Sequence, residues 1–184
     1  PYVLNALTTQ WGADLLDLWT GLTAEPGALR CVVLTGAGEK AFCAGADLKE
    51  RDGMSQADWQ KQHELFERCL MALMELPLPV IAALNGHAFG GGLEIALCCD
   101  FIYAAAGGRY ALPEVRLGIM PGGAGTQNLA RAAGERRAKE LILTGRQFSA
   151  DDGLAWGLFN RVGTFQEALE TAEAIAANAP LSTR

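Results

Sequence analysis

Histidine is scarce in this chain: His63 and His87 are its only two among 184 residues. So few imidazoles leave no histidine-rich metal site, and the five cysteines include no C-x-x-C pair, so no Cys/His spacing fits a zinc centre. A cysteine nucleophile would want a partnered histidine. Cys31, Cys43, Cys69, Cys98 and Cys99 sit mostly in apolar stretches, and read as small buried hydrophobes in a reducing compartment. Basic charge is also short. The 15 Lys and Arg against 21 Asp and Glu give a formal net charge of −6, which argues against a general nucleic-acid binder. No apolar run approaches the roughly 20 residues of a membrane helix; the longest, Pro79–Leu84, is strand-sized. No Walker loop is present.

Glycine, by contrast, is abundant. Of its 22 copies, 13 cluster at 36–45, 86–92, 107–108 and 118–125. Such clusters mark tight turns or places where backbone approaches a ligand. Half the residues are hydrophobic and 20% are charged, enough to bury a core.

The apolar spacing of Leu7, Trp11, Leu15 and Leu18 predicts a helix over Thr8–Leu22. Cys31–Thr35 reads as a buried strand and Gly36–Asp47 as a glycine-broken loop. Ser55 and Asp58 resemble a capping box opening a helix that Pro77 and Pro79 stop. Pro79–Leu84, His87–Phe89, Asp100–Ala105 and Arg109–Leu112 read as strands. Gly91–Cys98 and the segments near Gly125–Ala132, Glu135–Leu143, Ala150–Trp156 and Phe165–Asn178 read as helices. Strands alternating with helices and no linker predict one α/β domain over residues 1–184.

Gly36-Ala37-Gly38-Glu39-Lys40-Ala41 formally matches a dinucleotide fingerprint. A helix must start inside that motif, yet Gly45 would interrupt it, and no strand ending in an acid follows about 20 residues on; a plain turn is the better reading. Arg131, Arg136, Arg137 and Lys139 form a modest basic helix face, solvated or a phosphate or subunit contact. Trp59, Trp156 and Phe148 read as core or interface packing.

Asn85–Glu94 (NGHAFGGGLE) carries more chemistry. Three glycines before a helix bring free N–H groups close to any ligand, where the helix dipole favours negative charge. Glu94 in the first turn could be a dipole-stabilising surface residue. Its neighbours Leu93, Ile95, Ala96 and Leu97 instead predict a buried carboxylate with a raised pKa. Glu114 follows 20 residues later, beside the glycine-rich turn Gly118–Gly125. Alone it would be a solvated loop acid, and Asp47 and Lys49 would flank a solvated turn. Two glutamates beside two glycine-rich backbones can divide acid and base work without a metal.

Three stretches in this order resemble the enoyl-CoA hydratase/isomerase (crotonase) family: Ala41–Lys49 (AFCAGADLK), Pro79–Asp100 (PVIAALNGHAFGGGLEIALCCD), and Pro113–Gly118 through Gly125-Thr126-Gln127. The resemblance covers almost the whole chain. It implies a crotonase-like (ClpP/crotonase) spiral of β-β-α repeats, here without its C-terminal trimerisation helices. It implies an oxyanion hole from the N–H groups of Ala46 and Gly91, and substrate or CoA contacts from Ala44, Ala46, Asp47, Leu48, Lys49 and Gly91, with the Ala44 carbonyl near the adenine. Glu94 and Glu114 become the catalytic carboxylates, Glu94 activating water and Glu114 supplying the α-carbon proton. No metal is implied, and no cofactor beyond the coenzyme A of the acyl-CoA substrate. The resemblance further implies a homotrimer or homohexamer, neither membrane nor nucleic-acid partner, and a cytoplasmic location, or the mitochondrial matrix in a eukaryote.

Two glutamates favour a hydratase, because double-bond isomerases of the family commonly lack the acid at the Glu94-like position. Hydratases of branched or methylglutaconyl-type substrates, an isomerase and a non-catalytic acyl-CoA binder are the alternatives. Leu112 departs from the Gln that short-chain hydratases often carry there, which puts the orientation of Glu94 in question. The first family strand is barely present before Asn5.

Overall fold

The structure, a computed structural model, describes residues 4–183. Most of the stub before Asn5 thus lies outside the described residues. Among them, β1 (Val32–Thr35), β3 (Val80–Leu84), β5 (Phe101–Ala104) and β8 (Arg161–Val162) form one sheet in the order β1-β3-β5-β8. A second sheet holds β2 (Ala41–Cys43), β4 (His87–Phe89), β6 (Arg109–Ala111) and β7 (Phe148–Ser149) in the order β2-β4-β6-β7. The chain therefore winds as the expected spiral. Each of its first three turns lays one strand in each sheet and returns by helix.

The first sheet is parallel throughout, with Val32 opposite Val80 and Ile81 opposite Phe101. Every residue of β3 is buried, as a parallel strand covered on both faces requires. Its alternation divides two cores. Val80, Ala82 and Leu84 join the main core, while Ile81 and Ala83 pack with Tyr103, Ala168 and Ala172. The last two belong to α8 (Phe165–Ala176), which covers the outer face of this sheet. The second sheet closes with β7 running antiparallel to β6.

The expected helices are present as α1 (Thr9–Ala24), α3 (Gln56–Met74), α4 (Gly91–Leu97), α5 (Gly125–Ala133), α6 (Glu135–Thr144), α7 (Ala150–Ala155) and α8. Thr8 caps α1 by accepting from the Trp11 N–H. At Ser55 half of the capping box forms: its hydroxyl accepts from the Asp58 N–H, but the Asp58 carboxylate holds the Ser55 hydroxyl rather than the backbone. Two complete boxes form at Ser149/Asp152 and Thr164/Glu167.

The loop expected over Gly36–Asp47 is corrected. It contains β2, and the four-residue α2 (Leu48–Arg51) follows it. Residues Ala41–Cys43 are all buried, and their pairing with β4 is a non-local contact. Three of the four basic residues near α6 are engaged locally. Arg131 bonds Asn128, Lys139 pairs with Glu135, and the Arg137 guanidinium lies 4.7 Å from the centre of the Trp156 ring. Phe148 is core, packed against Tyr110, Trp156 and Phe159. The five cysteines are free; Cys43 and Cys69 are buried and the other three half-buried.

Candidate active site

The ends of β2, β4 and β6 open onto one cavity of about 810 Å³. Ala44, Ala46, Leu48, Gly91, Glu94 and Glu114 all line it. Asp47 and Lys49 do not. The Asp47 side chain caps α2 by accepting from the N–H groups of Lys49 and Glu50, and the Lys49 side chain is exposed.

The direction of the Ala46 amide follows from strand geometry. Leu7 donates to the Gly45 carbonyl at 2.8 Å and accepts from the Asp47 N–H at 3.0 Å. These bonds bracket Ala46. Successive amides in extended chain alternate sides, so the Ala46 N–H points away from Leu7. Gly91 is the first residue of α4, where an N–H has no acceptor within its helix. Among the described residues neither N–H donates to a protein group. The two donors belong to different turns of the spiral and meet at one cavity.

Glu94, on α4, is 4% exposed, as its apolar neighbours predict. Its Oε1 accepts from the N–H of Gly123 at 2.7 Å and of Gly125 at 2.9 Å. The turn before α5 therefore does the orienting work; Leu112 is buried in the core, 1% exposed. Burial raises the Glu94 pKa, opposed by the Gly125 and Gly123 N–H groups and by nearby His63.

Glu114 opens a short 3-10 helix, Glu114–Leu117, and is 7% exposed, so the solvated alternative for it is overturned. A side chain at Gly90 would place its Cβ 3.0 Å from Glu114 Oε1, which fixes the carboxyl beside the start of α4. Its Oε2 is buried with no hydrogen-bond partner among the described residues. Burial pushes the carboxyl up to about 7, opposed by its own backbone N–H and reinforced by the charge of Glu94. A buried acceptor without a partner is costly unless protonated or served by a ligand.

The cavity also has walls that sequence reasoning missed. Trp59 is 41% exposed and lines it, stacked on His63 with ring centres 5.1 Å apart and 9° between planes. This corrects the reading of Trp59 as packing; one turn of α3 separates it from His63. Phe89, Ile119 and Met120 add apolar surface, and Arg51 and Arg116 add charge.

Two backbone N–H groups without protein acceptors and two buried carboxylates thus face one cavity, the arrangement of an enzyme-like pocket. A model of the enoyl-CoA hydratase/isomerase family matches residues 1–184. The chain is 48% identical over 188 residues to the Bacillus subtilis protein YngF, covering all of this chain and 72% of YngF. It is 42% identical over 188 residues to the short-chain-enoyl-CoA hydratase of Clostridium acetobutylicum, again covering all of this chain and 72% of the relative. A crystal structure of enoyl-CoA hydratase from Bacillus anthracis superimposes with a TM-score of 0.95 at 44% identity, over 99% of this chain and 72% of that one. The chain belongs to the enoyl-CoA hydratase/isomerase family.

Proposed function

We infer that this protein is an enoyl-CoA hydratase, a hydro-lyase that adds water to a 2-trans-enoyl-CoA thioester to give a 3-hydroxyacyl-CoA. Addition to a double bond conjugated with a thioester builds charge on the thioester oxygen. In this reading the Ala46 and Gly91 N–H groups receive that charge, and one such donor is typically worth roughly 3–4 kcal/mol in the transition state. The observation that carries the reading is the contrast between two carboxyls on one cavity. Glu94 has one oxygen held by two N–H groups, which leaves the other to hold and deprotonate water. Glu114, with its unpartnered oxygen and pKa near 7, keeps a proton to give to the α-carbon. Water and proton add to the same face; Glu94 then carries the proton taken from water and Glu114 has lost one, so a proton passes from Glu94 back to Glu114 by way of solvent before the next turnover.

Relatives named short-chain-enoyl-CoA hydratase and crotonyl-CoA hydratase support a short acyl chain, with coenzyme A entering as part of the substrate. We also propose a trimer or pair of trimers, supported by the exposed Leu143 side chain, which lies outside the cavity. No helix among the described residues is long and apolar enough to cross a membrane. Five free cysteines fit a reducing compartment, cytoplasm or mitochondrial matrix. The test is conversion of crotonyl-CoA in ¹⁸O-labelled water. The hydratase reading expects one ¹⁸O in the 3-hydroxyl of the product; turnover without label uptake would make the protein an isomerase.

A further inference from the structure

The helix α2 follows the Ala46 donor directly, yet it has only four residues and buries none of them. So short a helix cannot hold itself. What holds it comes from α3. Gln62, 2% exposed, accepts from Arg51 Nε at 2.8 Å and donates to Glu50 Oε2 at 3.0 Å and to Thr9 Oγ1 at 2.8 Å. The amide orientation is fixed by its partners, since a guanidinium only donates and a carboxylate only accepts. Glu50 in turn accepts from the Thr9 backbone N–H at 2.9 Å.

Thr9 lies two residues beyond Leu7, and Leu7 touches both oxyanion donors. Its backbone bonds bracket Ala46, and its Cδ1 lies 2.8 Å from where a Cβ on Gly91 would stand. Gly12 lets α1 press onto the Phe66 ring one turn further along α3, so Thr9 reaches Gln62 in register. We propose that Gln62 is a positioning residue for the oxyanion hole: by clamping Thr9, Glu50 and Arg51 together, it fixes the Leu7 segment and α2 on either side of the Ala46 amide.

The proposal rests on the hydratase reading for its kinetic arm but not for its spectroscopic one. An enoyl thioester whose carbonyl is held by two N–H groups absorbs to the red of the free thioester, and that shift needs binding only. Gln62→Met, similar in shape and unable to bond, is expected to lower kcat at least ~10-fold, because small misplacement of a donor forfeits much of its effect. It should at least halve the red shift of bound crotonyl-CoA. Gln62→Glu sets two carboxylates together and should do the same. Adding Glu50→Gln restores a donor opposite an acceptor, and should bring kcat and the shift back to within about threefold of wild type. If Gln62→Met does not fold, this reversed pair still decides. A full red shift in Gln62→Met or Gln62→Glu, whatever the rate, would overturn the proposal, as would failure of Glu50→Gln to restore it. A wild type that binds crotonyl-CoA with a red shift but takes up no water would sink the hydratase reading and leave this one standing.

Discussion

Glu94 Oε1 lies 2.7 Å from the backbone nitrogen of Gly123, a bond between residues 29 apart in the chain. The same oxygen takes the Gly125 N–H, so this side chain both lines the cavity and holds the turn that leads into α5. Orientation of a cavity-lining carboxylate and stability of a loop are here one interaction.

Replacement of Glu94 should therefore separate by type. Glu94→Gln keeps an acceptor for both N–H groups and is expected to fold with wild-type stability to within about 1 kcal/mol. Glu94→Ala leaves them without it, and should lose roughly 1–3 kcal/mol more. Urea unfolding of the two variants measures the difference; equal midpoints would mean that Glu94 does not anchor the turn.

Glu114 gives the pH dependence a definite sign. Its folded pKa of about 7 lies above the ordinary 4.5, so the folded state binds the proton more tightly than the unfolded one. The stability this confers is complete below pH 4.5 and is lost as pH rises through 7. The loss amounts to at most about 3 kcal/mol. Glu114→Gln should accordingly gain stability relative to wild type between pH 5 and 8. Turnover that needs the protonated acid should fall as pH rises through about 7 in the wild type. A wild-type profile flat from pH 6 to 8 would remove Glu114 as proton donor.

Gly92 is the tightest backbone approach near the site. A Cβ there would stand 2.3 Å from the Cys43 carbonyl oxygen, in β2. Backbone rather than a mobile side chain is in the way, so Gly92→Ala must push α4 from β2 and is expected to lower Tm by at least ~5 °C. A thermal melt checks this, and an unchanged Tm would show that the two elements have slack.

Much of this arrangement was legible from residue order. The helix beginning near Thr8, the β3 apolar run and the burial of Glu94 on an apolar helix follow from local pattern. Strands of two or three residues, such as β2, β7 and β8, carry too little periodicity, and partners distant in sequence settle them. The same holds for the site. That Glu94 exists and is buried could be read locally, but its ligands Gly123 and Gly125 lie across a fold. Nothing in the local sequence sets Gln62 apart on α3, and its contacts exist only because α1 and α2 arrive beside it. Trp59 resembled packing because nothing local tells a cavity wall from a core wall.

The central claim is that two carboxyls act together on an enoyl thioester, and loss of the conjugated enoyl absorbance of crotonyl-CoA tests it most directly. Wild type, Glu94→Gln and Glu114→Gln should be followed side by side. The account predicts steady loss in wild type and a rate at least ~10²-fold lower in each variant, the usual scale of acid–base catalysis. A near-wild-type rate in either variant would contradict it.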